Sequence, residues 1–145
     1  MKIFLLIIIS RGIFGCSENI PFPSAQLQGN LTHTPHDWTE VAEARVVELE
    51  TNPSDPYSVK LWIIGFNDRV YVHAGANLAR WVENIIANPD VRLLIGDRLF
   101  ELVAARVTDQ SEFDEFSQHY ESKYGAKPRN ENVNEAFLLR LKSRP

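Results

Sequence analysis

The sequence contains a single cysteine, Cys16, among its 145 residues, so no disulfide can form within the chain. It also lacks a surplus of positive charge, because 15 Lys and Arg residues stand against 19 Asp and Glu residues, for a formal net charge of −4. Nucleic-acid-binding domains usually carry a basic face or stripe, so this class of function is disfavoured. No apolar run approaches the roughly 20 residues that a membrane-spanning helix needs.

Several motifs of enzyme chemistry are missing as well. The sequence has no phosphate-binding loop, no glycine fingerprint for a dinucleotide and no serine in a nucleophile elbow. His33 and His36 are three residues apart, but no third ligand is close to them in sequence, which disfavours a zinc site. The overall composition, 44% hydrophobic and 23% charged, is typical of one soluble globular domain.

The N-terminus has the pattern of an export signal. Met1-Lys2 is a short positive start, residues 3–9 are an unbroken apolar run, and Ile13-Phe14-Gly15-Cys16 resembles a bacterial lipobox. The resemblance implies a signal peptide over residues 1–15, cleavage before Cys16, and acylation of that cysteine with diacylglycerol and a fatty acid such as palmitate. Acyl chains of this kind hold a soluble domain at a membrane. The alternative is a plain secretory signal that contains a cysteine by chance.

This interpretation predicts the location and the domain boundaries. Ser17 follows the cysteine where inner-membrane lipoproteins usually carry Asp, so we expect a lipid-anchored protein of the bacterial cell envelope, on the outer membrane and facing the periplasm. Residues 16–36 are polar, contain proline and lack a sustained period, which predicts a flexible tether. The folded domain is then expected over residues 37–145.

The rest of the sequence alternates between strand and helix patterns. Turn signals at 52–56, Asn67-Asp68 and Gly96-Asp97 separate the apolar segments. Helical spacing of Leu78, Trp81, Val82, Ile85 and Ile86 predicts a helix that Asn88-Pro89 ends. A second helix is expected between Asp109, which with Glu112 suits a capping box, and Gly125. A short helix is expected over 37–44, and strands over 45–50, 59–64, 70–73, 91–95, 99–107 and 137–142.

Two hairpins, 59–64 with 70–73 and 91–95 with 99–107, follow each other with one helix between them. A closing strand comes after the second long helix. This order predicts the α+β class, as a small closed or partly closed antiparallel β-barrel with two or three flanking helices, because closure removes most exposed strand edges.

The same order, with one stretch of sequence, resembles the split-barrel flavin-binding superfamily, which includes pyridoxamine phosphate oxidases and deazaflavin-dependent nitroreductases. The resemblance covers residues 45–108, including 69–75, 80–89 and the Gly96-Asp97-Arg98 turn. The nitroreductase branch typically has a tryptophan, an asparagine three residues later and Asn-Pro at the helix end. Trp81, Asn84 and Asn88-Pro89 fit that pattern.

One departure from the family concerns its cofactor loop. The nitroreductase branch carries a Gly-Arg-Lys-Ser-Gly type of loop between its first two strands, whereas residues 51–58 here are Thr-Asn-Pro-Ser-Asp-Pro-Tyr-Ser. A phosphate needs cations or amide donors on a permissive backbone. This loop supplies neither a glycine nor a cation.

The resemblance implies five residues that contact the cofactor, which would be FMN or a deazaflavin. Arg80, at a helix start, would bind phosphate, and the alternative is a solvated surface arginine. Lys60 would be a second anion contact, or an edge-strand lysine that prevents aggregation. His73 would contact the phosphate or the ring, or be a loop histidine without a role.

The other candidates are Trp81 and Asn84. Trp81, like Trp62, could pack against a flavin or substrate ring, although core packing is the usual role of a tryptophan. Asn84 would contact the ligand, or hydrogen-bond the backbone at the seam between helix and barrel. The resemblance nominates no catalytic acid or base.

Two functional hypotheses follow. The first is a membrane-tethered oxidoreductase that binds a flavin or deazaflavin and transfers hydride to a small organic acceptor, as a homodimer by resemblance. The second is a lipoprotein without a cofactor that binds a small ligand or a protein partner through the same groove. Export without a twin-arginine signal and the absent glycine-cation loop favour the second; the Trp81–Asn84–Asn88 pattern favours the first.

Overall fold

In the computed structural model of the chain, the structure describes residues 26–75 and 78–145. The predicted signal peptide, Cys16 and the first part of the predicted tether lie outside the described residues. The elements in chain order are strand β1 (Asn30–Leu31), β2 (Val47–Thr51), β3 (Tyr57–Leu61), β4 (Ile63–Phe66), β5 (Arg69–Ala74), helix α1 (Arg80–Ala87), β6 (Asp90–Ile95), β7 (Arg98–Arg106), helix α2 (Gln110–Tyr124) and β8 (Phe137–Ser143).

The strands form one sheet with the order β3-β2-β6-β7-β8-β5-β4. Neighbours along this path are antiparallel, and the short β1 pairs in parallel with β7. The first and last strands of the path, β3 and β4, are consecutive in the chain and are separated by Trp62 alone. The sheet therefore curls until its two edges meet at a bend in one chain segment, which confirms the predicted α+β split barrel.

The bend at Trp62 corrects one predicted hairpin. Residues 59–64 were expected to form one strand paired with 70–73, but they divide between two strands. Val59 and Lys60 pair with Leu49 and Glu48 of β2, whereas Ile63 pairs with Val72 of β5. The sequence pattern did not predict this division because Val59, Leu61, Ile63 and Ile64 are apolar on both sides of the bend, so the segment has the composition of one buried strand.

Apolar side chains pack on both faces of the curled sheet. The interior cluster contains Leu49, Val72, Leu93, Leu102 and Leu141 among others, together with Trp81, Val82 and Ile85 of α1. The exterior cluster lies under α2 and contains the following buried side chains: Ile64, Phe66, Tyr71, Val107, Phe113, Phe116, Val133, Ala136 and Leu138. The helix α1 therefore contributes to the barrel interior, and α2 covers the outer face of β4, β5 and β8.

The ends of α2 agree with the sequence prediction. The carboxylate of Asp109 accepts a hydrogen bond from the backbone N–H of Glu112, and Gly125 ends the helix in the left-handed conformation with φ of 77°. The reciprocal half of the predicted capping box differs, because the Glu112 carboxylate accepts from the hydroxyl of Tyr71 at 2.8 Å and pairs with Arg140 at 3.1 Å. That side chain binds the sheet instead of its own helix start.

The short helix expected over 37–44 is only a 3-10 turn, Val41–Glu43. Its backbone lies against β4, where Ala42 contacts Gly65 closely. A Cβ on Gly65 would also lie 3.0 Å from the carbonyl oxygen of Trp38. The tight fit of this segment to the strand decides its conformation.

The segment before the turn is attached to the sheet rather than free. Leu27 is buried, with 6% of its surface exposed, and its N–H donates to the carboxylate of Glu50 at 2.6 Å. The guanidinium of Arg92 donates to the carbonyl of Leu27 at 3.2 Å. Three residues later, β1 pairs with β7. In the structure the folded domain thus includes Leu27, which is before the boundary at residue 37 expected from the sequence.

Candidate functional site

A cavity of about 180 Å³ opens where the barrel bends between β3 and β4. The bend, the end of β5 and the middle of α2 enclose it. The sequence produces this opening because Trp62 lies between two strands that pair with different partners, so β3 and β4 diverge beside α2. The lining residues are Lys60, Leu61, Trp62, Ile64, His73, Phe116 and Tyr120. Most of this wall is apolar or aromatic, which is typical of small-molecule sites with a few placed polar groups.

His73 supplies the most buried polar group of the cavity. Its Nε2 is shielded from solvent and has no hydrogen-bond partner within the described residues. Burial lowers the pKa of His73 to about 4, because an apolar environment disfavours the imidazolium. Phe113, Phe116 and Tyr120 surround the ring, with centroid separations of 6.2, 5.6 and 6.2 Å. At neutral pH an uncharged imidazole therefore presents an unsatisfied nitrogen inside an aromatic box, which is unusual for a purely structural histidine.

The rim of the cavity carries an aromatic ring and a cation. Trp62 is 48% exposed and stacks on Tyr124, with ring centroids 4.2 Å apart and an interplanar angle of 10°. Lys60 is exposed, and its cross-strand neighbour is Glu48. Within the described residues no ion pair joins Lys60 to a carboxylate. The lysine charge at the rim is therefore available to a ligand.

Arg80 lies at the start of α1 and does not line this cavity. Its guanidinium lies over the ring of Tyr57, 4.5 Å from the centroid, and among the described residues it pairs with no carboxylate. Tyr57 begins β3, the strand that carries Lys60 near its other end. Lys60 and His73, which the sequence proposed separately, thus share one cavity, and Arg80 lies against the same strand at a different place.

Trp81 and Asn84 have structural roles in the described part of the chain. Trp81 is 5% exposed and belongs to the barrel interior, as the core alternative expected. The Nδ2 of Asn84 donates to the hydroxyl of Thr51 at 2.9 Å, which ties α1 to the end of β2. Their contact with a ligand stays a prediction.

The loop between β2 and β3 is a compact turn. Asn52 has a positive φ of 57°, and the N–H of Asp55 donates to its carbonyl at 3.0 Å. The hydroxyl of Thr51 donates to the carbonyl of Tyr57 at 3.3 Å across the start of the hairpin. Turn geometry and Pro53 explain this local structure, and the loop is organised as a hairpin turn. It contains no Lys or Arg, and therefore offers no cation to a phosphate.

Sequence analysis did not single out Tyr120 as a site residue. The structure places Tyr120 with Phe113, Phe116 and Tyr124 on the face of α2 that packs on the sheet. Burial raises the pKa of Tyr120. The only feature of the sequence that points to Tyr120 is a phenol hydroxyl on a largely apolar helix face. The position of Tyr120 beside His73 depends on how α2 packs on the sheet.

Two kinds of feature are absent from residues 26–75 and 78–145. None of the helices there is both long enough and apolar enough to cross a bilayer. No group of three or more His, Cys, Asp or Glu side chains in this part of the chain is arranged to hold a metal ion.

Part of the chain resembles a known protein family. The sequence model of the F420H(2)-dependent quinone reductase family matches residues 67–135. This region runs from the turn before β5 through α1, β6, β7 and α2, and it includes His73, Arg80 and Tyr120. No curated protein matches the chain.

Solved structures with the same fold are distant in sequence. A conserved hypothetical protein of Mycobacterium tuberculosis superposes with a TM-score of 0.58 at 19% identity, over 79% of this chain and 87% of its own. An F420-H2-dependent reductase, FDR-A, gives 0.54 at 15% identity over 68% and 94%. An FAD-binding protein of Mesorhizobium loti gives 0.51 at 16% identity over 74% and 87%. The predicted split-barrel fold is thereby confirmed.

Proposed function

We propose that this chain is an oxidoreductase that binds a flavin or deazaflavin on the outside of its split barrel. The observation that carries the proposal is the cavity beside β3, where an uncharged buried histidine, an exposed tryptophan and an unpaired lysine converge. The match of residues 67–135 to the F420H(2)-dependent quinone reductase family supports it, because that region contributes His73 and Tyr120 to the cavity.

The residues present fit such a cofactor in part. Trp62 offers an exposed ring face for a planar ring system, and Lys60 and Arg80 are the cations available for an anionic tail. The turn at 52–55 offers no cation, so phosphate contact on this side depends on Lys60 and Arg80. A bound flavin or deazaflavin would supply hydride chemistry, while the protein holds and orients it.

Titration with FMN and with a deazaflavin tests the proposal. We expect one of the two to bind the purified chain, seen as quenched flavin fluorescence or as the disappearance of Trp62 emission. Arg80→Ala should weaken binding at least tenfold, about 1.4 kcal/mol, within the range of a charge-assisted hydrogen bond.

Arg98→Ala is the matched control, because Arg98 is an exposed arginine at the start of β7, a strand that is not adjacent to β3. It should leave binding within twofold of the wild type. A chain that binds neither FMN nor the deazaflavin would contradict the proposal.

We also propose that the mature chain is lipid-anchored through Cys16 in the bacterial cell envelope and that it forms a homodimer. The lipobox-like Ile13-Phe14-Gly15-Cys16 supports the anchor, and the superfamily resemblance supports the dimer. Sedimentation of the detergent-solubilised chain distinguishes one copy from two.

The second candidate function is a cofactor-free lipoprotein that binds a small ligand through the same cavity. The cation-free turn at 52–55 is the observation that favours it. This function predicts that small aromatic molecules bind while both cofactors fail.

A further inference from the structure

The cavity beside β3 is smaller than a cofactor site. Its volume is about 180 Å³, whereas sites for drug-sized ligands and cofactors usually measure roughly 300–1,000 Å³. An apolar cavity of about 150 Å³ is filled by a single benzene ring. The cavity therefore has room for one ring with small substituents, and a three-ring cofactor would extend beyond it over Trp62.

Two polar groups of the cavity, on His73 and Lys60, differ in how deeply they are buried. His73 Nε2 is buried and without a partner among the described residues. Lys60 is exposed. Phe116, Tyr120 and Trp62 form the aromatic wall.

This arrangement specifies a ligand chemistry. A flat ring suits the aromatic wall, since aromatic pairs prefer stacked or edge-to-face contacts. An oxygen atom directed at His73 would satisfy the buried nitrogen, which otherwise remains a destabilising unpaired group. An acidic or anionic substituent on the ring would meet the Lys60 ammonium.

We infer that this cavity is the acceptor subsite, that it takes a single-ring aromatic ligand carrying a carbonyl-type oxygen, and that His73 is the residue that recognises that oxygen. The assignment of this cavity to the acceptor rests on the proposed oxidoreductase function, whereas the class of ligand rests on the volume and the side chains of the cavity alone.

The uncharged state of His73 fits this role. Burial keeps the pKa of the imidazole near 4, so at neutral pH its N–H can donate to a carbonyl oxygen without a net positive charge in the apolar wall. Among the residues that the structure describes, no carboxylate lines the cavity, and its other titratable groups are Lys60 and Tyr120. Neutral imidazoles serve as hydrogen-bond donors to carbonyl oxygens in other enzymes.

The test uses 4-hydroxyacetophenone as the probe and the full-length chain in a non-aromatic detergent, without added cofactor. This molecule has one ring, a ketone oxygen and an acidic phenol. We expect saturable quenching of Trp62 fluorescence, because Trp62 is the exposed member of the three tryptophans, and Trp38 and Trp81 are buried. Two comparison ligands are 4-ethylphenol, which lacks the ketone, and anthrone, a ketone with three fused rings.

His73→Phe should weaken binding of 4-hydroxyacetophenone about tenfold and that of 4-ethylphenol less than threefold, because it removes the nitrogen but keeps an aromatic ring. Lys60→Gln should weaken the binding of both phenols by similar factors, each smaller than tenfold. His119→Phe is the matched control and should change neither, since His119 stacks on Phe66 outside the cavity.

Several outcomes would overturn the inference. The first is that 4-hydroxyacetophenone does not bind the wild type, and the second is that anthrone binds as tightly as the single-ring ketone. The third is that His73→Phe weakens the binding of both phenols equally, which would indicate a packing role for His73. Cofactor titration of the same samples separates the two proposals. A chain that binds FMN or a deazaflavin but not the ketone refutes this subsite alone, and a chain that binds the ketone but neither cofactor refutes the oxidoreductase function and retains the ligand site.

Discussion

Glu50 and Arg92 form a two-pronged ion pair between β2 and β6, with Nε to Oε1 at 2.9 Å and Nη2 to Oε2 at 2.6 Å. The side chains are 5% and 18% exposed. Both also bond the backbone of Leu27, so the pair joins the N-terminal segment to the sheet. If Cys16 carries the lipid anchor, this pair is the first firm attachment between anchor and barrel in the described residues.

Replacing one partner of this pair should destabilise the domain. Glu50→Gln keeps the side-chain shape but leaves the buried guanidinium without a countercharge, which costs about 3 kcal/mol in the free energy of unfolding. Urea denaturation measures this value. Glu48→Gln, on the same strand and without an ion pair to another described residue, should cost less than about 1 kcal/mol. Equal effects of the two substitutions would contradict the assigned role of Glu50.

Lys123 should stabilise the packing of α2 on the barrel. Its Nζ donates to the carbonyl oxygens of Ala42, Ala44 and Ile63 at 2.7, 2.7 and 2.9 Å. Lys123→Met removes the donor from the carbonyl oxygens of Ala42 and Ala44, whereas the Ile63 carbonyl keeps the hydroxyl of Tyr124 as a donor at 3.0 Å. We expect a loss of about 3 kcal/mol in the free energy of unfolding, measured by chemical denaturation. Lys127→Met, at an exposed lysine 3.7 Å from Glu131, should change stability by less than about 1 kcal/mol. A Lys123→Met chain as stable as this control would refute the expectation.

Gly65 should not tolerate a side chain. A Cβ there would overlap Ala42 and lie 3.0 Å from the Trp38 carbonyl oxygen, so Gly65→Ala must displace the 3-10 turn. We expect a loss of about 1–3 kcal/mol, measured as a lower urea midpoint. Gly75→Ala is the control, since a Cβ at Gly75 meets nothing within 4 Å. A Gly65→Ala chain that unfolds at the wild-type urea midpoint would show that the 3-10 turn can move without a loss of stability.

His73 makes stability depend on pH in a defined window. Its pKa is about 4 in the folded chain and 6.5 in the unfolded one, so between these values the unfolded state binds the extra proton. Stability should therefore fall as the pH is lowered from 6.5 towards 4, by at most about 3 kcal/mol from this group. His73→Phe should flatten this part of the profile, whereas His119→Phe should preserve it. Parallel profiles for the wild type and His73→Phe would exclude His73 as the source.

The proposed lipid anchor at Cys16 can be tested by labelling. Cells expressing the chain and supplied with labelled palmitate should incorporate label, and Cys16→Ser should abolish both the label and cleavage after Gly15, since lipoprotein processing requires the acylated cysteine. Ser17→Ala should leave both unchanged. Incorporation of label into Cys16→Ser would rule out this attachment site, and its absence from the wild type would favour the plain secretory signal.

Much of the fold could be predicted from local patterns. The end of α1 at Asn88, the Asp109 cap, the left-handed Gly125 and the Asn67-Asp68 turn each depend on a few neighbouring residues, and the structure confirms them. The division of 59–64 at Trp62 could not be predicted in this way, because both halves are apolar and only pairing with β2 and β5 separates them.

The candidate site also combines residues that sequence patterns identified with one that they did not. Lys60, His73 and Trp62 were proposed as separate contacts, but Tyr120 was missed because it comes from a helix distant in sequence. Packing of α2 over β5 places its ring beside His73 and creates the burial that lowers the pKa of that histidine.

The sequence by itself determined the export-signal pattern around Cys16, most of the order of strands and helices, and the α+β barrel class, because these follow from apolar periodicity and turn residues along the chain. Only the tertiary structure decided that the barrel closes at Trp62, that Leu27 belongs to the domain, and that His73 faces a cavity of single-ring size. The physical reason is that burial, unpaired polar atoms and cavity volume depend on contacts between segments far apart in the chain, which local spacing does not encode.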